Sequence, residues 1–128
     1  MNVLSIDSTP KTPAIRCFGE IGSIEIMGRS NPVNANDFYK PLFDWLDMYM
    51  SELKTPQTMV CIHLESFNTG TSNCLLNLFR KLRKIHTEDH EVSINWYYEQ
   101  YDEDMQDAGL HYASMFEYPL KLIEILHN

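Results

Sequence analysis

Residues 58–82 decide the fold class, and they read in succession TMVCIHLE, SFNTGTSN and CLLNLFRKL. The first part is a short apolar run between turn residues, which is typical of a central strand over Met59–Leu64. The last part repeats large apolar residues at helical spacing, which predicts a helix from Ser72 to about His86. The middle part, residues 66–73, holds four hydroxyls, two asparagines and one glycine. The chain therefore passes from strand to helix through a junction rich in hydroxyl groups.

Strands and helices continue to alternate on both sides of this stretch. Pro10 and Pro13 interrupt residues 1–13, which we interpret as a flexible leader. Apolar alternation and helical spacing predict the other elements, which are strands at Ala14–Phe18, Ser23–Met27, Val92–Tyr98 and Leu120–Leu126, and helices at Asp37–Leu53 and from Asp102 to about Phe116. The order ββαβαβαβ predicts a single α/β domain over residues 14–128, with a mixed sheet of about five strands flanked by about three helices. The first two strands are expected to form an antiparallel edge of that sheet.

Charge and composition narrow the classes of partner. The 128-residue chain has a net charge of −8, whereas nucleic acids and anionic membranes attract clustered Lys and Arg, so neither is an expected partner. The first ten residues lack the segments of a signal peptide and no apolar run reaches transmembrane length, so we expect a cytoplasmic protein. The three cysteines, Cys17, Cys61 and Cys74, lack metal-type spacing, and no cofactor or metal is expected.

Thr69 is expected at the functional edge of the sheet. If the strands at 59–64 and 92–98 are parallel, their carboxyl ends meet at one edge, where open α/β sheets place their sites. Thr69 follows the first of these strands, and the segment YYEQYDEDM, residues 97–105, follows the second. We therefore expect an exposed Thr69 that shares its edge with the acidic turn beginning at Asp102.

Three explanations of the hydroxyl-rich junction compete: a helix cap, a ligand pocket and a covalent switch. Thr71 or Ser72 could cap the helix, and Asn68 and Gly70 are common turn formers. One cap uses only one hydroxyl, so capping leaves Thr69 unexplained. A phosphoryl group on Thr69 would add about −1.5 to −2 charges and three acceptor oxygens beside the N–H groups of the helix.

A partner surface is expected around Thr69. Aromatic side chains anchor many protein interfaces, and an acidic turn at the same edge would meet the same partner. The candidate contact residues are Phe67, Asn68 and Gly70 from the junction, and Tyr98, Tyr101, Asp102, Glu103 and Asp104 from the end of the next strand.

Five segments carry a resemblance to a known family. They are TPAI at 12–15, GRSNP at 28–32, DFYKPLFDWLDMYM at 37–50, FNT at 67–69 and INWYYEQYDEDMQDAG at 94–109. In this order they span nearly the whole chain, and the sequence resembles the SiaC family of bacterial biofilm-regulatory phosphoproteins. The resemblance implies a STAS-like fold, similar to that of anti-sigma factor antagonists.

The resemblance also implies a signalling role. A cognate Ser/Thr protein kinase would phosphorylate Thr69 and a PP2C-type phosphatase would restore it. The unphosphorylated form would bind and activate a diguanylate cyclase, raising cyclic di-GMP and favouring biofilm formation. The family commonly continues FNT with serines and a lysine, whereas this chain has GTSN at 70–73, so Thr71 and Ser72 are alternative modification sites.

Two other functions remain open from the sequence. The first is an anti-sigma factor antagonist, which would differ from a cyclase activator in the partner that it switches. The second is a metal-dependent hydrolase using Asp102, Asp104 and His111, whose side chains could hold a divalent cation. No catalytic motif accompanies these residues, so we expect a partner-switching protein rather than an enzyme.

Overall fold

The computed structural model describes residues 3–116 and 120–127. Within those residues, the chain forms three helices and one six-stranded sheet. The strands are β1 (Val3–Ile6), β2 (Ala14–Phe18), β3 (Ser23–Ser30), β4 (Gln57–Phe67), β5 (Glu91–Glu99) and β6 (Leu120–Ile125), and the helices are α1 (Ala35–Ser51), α2 (Thr69–Ile85) and α3 (Glu103–Met115). The strands lie in the sheet in chain order, with β1 at one edge and β6 at the other.

The sheet is mixed, as the sequence predicts. The first three strands are antiparallel neighbours, whereas β3, β4, β5 and β6 are all parallel. Each parallel pair is joined by one helix, which is the usual crossover for parallel strands. The carboxyl ends of β4 and β5 therefore lie at the same edge, and α2 and α3 begin there.

The three helices cover one face of the sheet. In β4, Val60, Ile62 and Leu64 are buried, whereas Met59, Cys61 and His63 alternate with them and are half-buried or exposed. Buried residues from β2–β5 and all three helices form one core cluster. The side chains of the opposite sheet face stay partly accessible because no described helix covers them.

Trp96 fixes α3 against the sheet. Its indole Nε1 donates a hydrogen bond of 2.9 Å to the carbonyl oxygen of Met105, in the first turns of α3. One turn further along, a Cβ atom on Gly109 would lie 2.5 Å from Trp96 Cδ1, so the indole needs a glycine at this position. This contact places the acidic turn before α3 at the carboxyl edge of the sheet.

The structure corrects the predicted first 13 residues and the edge of the sheet. Val3–Ile6 form β1 and pair with β2, so these four residues, assigned to the flexible leader from the sequence, belong to the sheet. The β2–β3 hairpin is confirmed, but β1 rather than β2 is the outer strand. Pro10 and Pro13 lie between β1 and β2, where they interrupt no strand.

The other elements begin or end a few residues from their predicted bounds. The largest changes are of three residues: α2 starts at Thr69 rather than Ser72, β3 ends at Ser30 rather than Met27, and β4 ends at Phe67 rather than Leu64. Leu126 lies beyond β6. Among the described residues, no helix is both long and apolar enough to cross a membrane.

Candidate functional site

Thr69 is the first residue of α2, at the carboxyl edge of the sheet. Its side chain is exposed, and its hydroxyl makes no hydrogen bond within residues 3–116 and 120–127. The position precedes the first intrahelical hydrogen bond, so the backbone N–H groups of Thr69 and Gly70 belong to the unpaired set at a helix start. The expected exposure of Thr69 at this edge is confirmed.

Asn68, rather than Thr71 or Ser72, caps α2. Its side-chain Oδ1 accepts a hydrogen bond of 2.9 Å from the backbone N–H of Thr71. Its Nδ2 donates to the carbonyl oxygen of Pro32 at 2.9 Å, and its backbone N–H donates to the carbonyl oxygen of Ser30 at 3.0 Å. The cap therefore also ties the start of α2 to the loop after β3.

Thr71 has a structural role that differs from that of Thr69. It is 0% exposed, and its hydroxyl donates to the carbonyl oxygen of Ser30 at 3.0 Å. Because that bond uses its only proton, the Ser30 hydroxyl must donate to Thr71 Oγ1 at 2.7 Å and accept from Tyr39 Oη at 2.6 Å. Burial raises the pKa of Tyr39 to about 12, which keeps that hydroxyl protonated as a donor. The three hydroxyls join β3, α1 and α2.

The three predicted modification sites differ in these contacts. The Thr71 oxygen lies inside the buried hydroxyl chain, so Thr71 as an alternative site does not fit the folded domain. Ser72 is half-buried, and its Oγ lies 2.9 Å from Tyr112 Oη. Of the three candidates, only Thr69 has an exposed hydroxyl without a partner in the described part of the chain.

An acidic crevice lies at the same edge as Thr69. It has a volume of about 280 Å³ and is lined by Glu65, Ser66, Phe67, Asp102, Asp104 and Met105. The crevice brings the end of β4 next to the start of α3, as the predicted parallel strands require. The expected proximity of the acidic turn to the end of β4 is confirmed.

The candidate contact residues of the junction are half-buried. Phe67 packs edge-on against Trp96, with ring centroids 6.1 Å apart, and exposes only part of its ring to the crevice. A Cβ atom on Gly70 would lie 3.0 Å from the Cβ of Ala35, so Gly70 allows the starts of α1 and α2 to approach. Asn68 is held by its cap bonds. These three residues shape the surface around Thr69 and expose little of themselves.

The candidate contact residues before α3 are more accessible. Tyr101 is 88% exposed and has a backbone φ of +73°, which is uncommon for a bulky residue. Glu103 and Asp104 are exposed in the first turn of α3, and Asp102 caps the helix by accepting from Met105 N–H at 3.1 Å. Tyr98 is half-buried against the core. Tyr101 is therefore the aromatic side chain that this turn presents to solvent.

The residues of the hydrolase hypothesis do not form a metal site. Within the described residues, no group of three or more His, Cys, Asp or Glu side chains could hold a metal ion. His111 lies two turns after Asp104 on α3, about 10 Å along the helix axis. The imidazole is thus displaced from the two carboxylates that were grouped with it.

The sequence analysis missed Ser30 and Tyr39 as supports of the Thr69 junction. Their relevant contacts join residues 9 and 41 positions apart in the chain, which local patterns do not encode. The available signal was the pair of turn-rich segments, GRSNP and FNT, which the register of β3 and β4 places side by side: Ser30 pairs with Phe67.

The fold and this edge define a class: a small α/β domain whose distinctive group is an exposed threonine at a helix start, beside a chain of buried hydroxyls. The family model described as "SiaC family regulatory phosphoprotein" matches residues 6–125. The chain therefore belongs to the SiaC family of regulatory phosphoproteins.

One curated relative and several solved structures are similar to nearly the whole chain. An uncharacterized protein of Pseudomonas aeruginosa strain UCBPP-PA14 is 22% identical over 122 residues, which cover 95% of this chain and 96% of that protein. Two crystal structures from P. aeruginosa match this chain at 20% sequence identity. One is apo-SiaC, and the other is the diguanylate cyclase SiaD in complex with its activator SiaC. Their TM-scores are 0.87 and 0.88, and the matches cover 96% and 95% of this chain and 99% of each matched chain. At this identity the structural matches establish the shared fold.

Proposed function

We propose that this chain is a phosphorylation-controlled cytoplasmic regulator that binds and activates a diguanylate cyclase while Thr69 is unmodified. It would thereby promote cyclic di-GMP synthesis and biofilm formation, acting by binding rather than by catalysis. The observation that carries this proposal is the exposed hydroxyl of Thr69, which has no partner among the described residues, in a member of a regulatory phosphoprotein family. A similar fold occurs in SiaC of P. aeruginosa, which is the activator of the cyclase SiaD.

Phosphorylation of Thr69 would change the surface without unfolding the domain. The new phosphate would carry about −1.5 to −2 charges, and the helix start favours an anion there. The cap bonds of Asn68 and the buried hydroxyl chain involve other atoms, so they remain intact. The phosphate would weaken the binding of a protein docked at this edge. It would repel acidic groups of that protein, and its hydration would keep water in the contact.

The contact surface would extend from Thr69 to the acidic turn before α3. Tyr101 offers a large exposed ring, and Glu103 and Asp104 offer exposed carboxylates beside it. Aromatic anchors with a charged surround are common at the centre of protein interfaces. A Ser/Thr protein kinase and a PP2C-type phosphatase would set the fraction of chain that carries phosphate.

Cyclase assays with Thr69 variants test the proposal. Thr69→Ala should bind the cyclase and stimulate cyclic di-GMP formation as the unmodified chain does, whereas Thr69→Asp should weaken binding about tenfold or more, since a buried like-charge contact is strongly unfavourable. Ser51→Asp is the matched control, because it adds the same charge at an exposed position far from Thr69. Ser51 is the last residue of α1, whereas Thr69 lies beside the first turn of that helix. Equal cyclase affinity of Thr69→Ala and Thr69→Asp would contradict the switch.

A further inference from the structure

A cationic groove lies between α1 and α2. It has a volume of about 460 Å³ and is lined by Asn36, Lys40, Phe43, Asn77, Arg80, Lys81 and Lys84. Four of the ten Lys and Arg residues of the chain line the groove, and none of the lining residues is acidic, although the chain has a net charge of −8. The groove therefore concentrates positive charge on an otherwise acidic protein.

Only part of this positive charge is neutralised within the chain. Lys40 lies 2.8 Å from Asp44, and Lys81 lies 2.9 Å from Asp47. Arg80 and Lys84 are exposed and have no ion-pair partner in the described residues. Two unpaired cations one helical turn apart are thus available to an external anion.

The shape of the groove favours an extended polypeptide over a single phosphate group. Its lining spans Asn36–Phe43 on α1 and Asn77–Lys84 on α2, about 10 Å on each helix. Phosphate sites use donors that converge on one point, usually at a helix start or a glycine-rich loop. Here the cations are distributed along helix interiors beside the half-buried ring of Phe43, which suits alternating acidic and apolar side chains.

One stripe of α2 connects the groove with Thr69. At 100° per residue, Thr69, Asn73, Asn77, Arg80 and Lys84 fall within one quarter of the helix circumference. All five are exposed. Thr69 lies about 16 Å along the axis from Arg80, which is twice the screening length at physiological ionic strength. A protein segment bound in the groove can therefore extend to Thr69 along this stripe. A phosphate on Thr69 would hardly change the attraction of Arg80 and Lys84 for an anion, because salt screens charges over the distance between them.

We propose that this groove, defined by the seven residues above, docks an acidic polypeptide segment of the protein partner. The inference rests on the proposed function only in taking that partner to be the cyclase. The groove supplies salt-sensitive affinity through Arg80 and Lys84. Thr69, at the end of the stripe, controls the release of the docked protein by its phosphorylation. Charge complementarity selects an acidic occupant.

The groove can be tested without a cyclase by NMR titration of the ¹⁵N-labelled full chain with poly-L-glutamate. Amide shifts should concentrate at Asn36, Asn77 and Arg80, and affinity should fall about tenfold as sodium chloride rises from about 50 to about 300 mM. Arg80→Gln/Lys84→Gln should lose at least about fivefold of this affinity, and glutamine preserves helix propensity. Lys11→Gln/Lys121→Gln is the control, because it removes the same charge outside the groove and should bind as the wild type does.

Other outcomes overturn the inference. Shifts located elsewhere, or equal affinity of the Arg80→Gln/Lys84→Gln variant and the control, would remove the groove as an anionic polypeptide site. Tighter binding of oligo-dT or of inorganic phosphate than of poly-L-glutamate would assign the groove to nucleic acid or to a small anion instead.

A cyclase titration separates this inference from the proposed function. If Arg80→Gln/Lys84→Gln binds the cyclase like the wild type while Thr69→Asp binds weakly, the groove is wrong and the switch stands. If the groove variant binds weakly while Thr69→Asp binds normally, the groove stands and the switch is wrong.

Discussion

Thr69 and Thr71 lie two residues apart at the start of α2, yet they belong to different regions of the molecule. Thr69 is exposed on the carboxyl edge of the sheet, and its hydroxyl has no partner within residues 3–116 and 120–127, whereas Thr71 is 0% exposed and hydrogen-bonded to Ser30. The helix cap at Asn68 fixes this division, because it sets which residue of each turn faces the core. Identical side chains therefore have separable tasks: Thr71 stabilises the edge and Thr69 is available for modification.

Thr71→Val should have the largest effect on stability. Valine keeps the shape but removes both hydrogen bonds of the hydroxyl. The buried Ser30 hydroxyl proton then has no acceptor, while the Ser30 carbonyl oxygen keeps only its bond from the Asn68 N–H, and we expect the free energy of unfolding to fall by about 2–3 kcal/mol. Urea unfolding measures the change. Thr71→Ser, which retains the oxygen, is the control and should lose only about 1 kcal/mol for the missing methyl group. A Thr71→Val protein as stable as wild type would show that the hydroxyl chain does not hold the junction.

Tyr39→Phe should have an intermediate effect, because it removes only the outer donor of the hydroxyl chain. We expect a loss of about 1–2 kcal/mol at neutral pH. Burial raises the pKa of Tyr39 to about 12, so the neutral side chain stabilises the folded protein fully below the usual tyrosine pKa near 10, and this contribution is lost as pH rises from about 10 to 12.

The pH dependence offers a second test of Tyr39. Unfolding measured at several pH values should show the wild type losing stability over that range more steeply than Tyr39→Phe. Cys17 and Tyr112, whose pKa values burial also raises, are present in both proteins, so the difference reports on Tyr39. Parallel pH curves would contradict the assigned role.

Thr69→Asp should have the smallest effect on stability. The exposed side chain has no hydrogen bond to lose in the described structure, and an acidic group in the first turn interacts favourably with the helix dipole by about 0.3–1 kcal/mol. Thermal unfolding should therefore show an unchanged or slightly higher midpoint. A clear loss of stability would mean that weakened partner binding by this variant reflects unfolding rather than charge.

The order of the main elements could be predicted because each carries its own period of apolar residues. Val60, Ile62 and Leu64 alternate in β4, and the buried leucines of α2, at positions 75, 78 and 82, are three and four positions apart. The placement of Thr69 also followed, since parallel strands share an edge. Strand β1 could not be predicted, because its four residues gain their hydrogen bonds only by pairing with residues 15–18.

The identity of the cap was less accessible to sequence reasoning. Asn68, Thr71 and Ser72 are all good N-cap residues, so local preference does not choose among them. Contacts of Asn68 with Ser30 and Pro32 make the choice, and these depend on the parallel pairing of β3 with β4. The basic face of α2 is visible in the sequence, but the groove that it forms with α1 is not, because its two sides come from helices separated by β4.

The most direct test of the central claim is site mapping after phosphorylation by the cognate kinase. Fragment mass analysis of the full chain should find one phosphate, on Thr69, and the phosphorylated protein should no longer bind the cyclase. Thr69→Ala should acquire no phosphate and keep its binding. A phosphate on Thr71 or Ser72, or undiminished cyclase binding by chain phosphorylated at Thr69, would contradict the account.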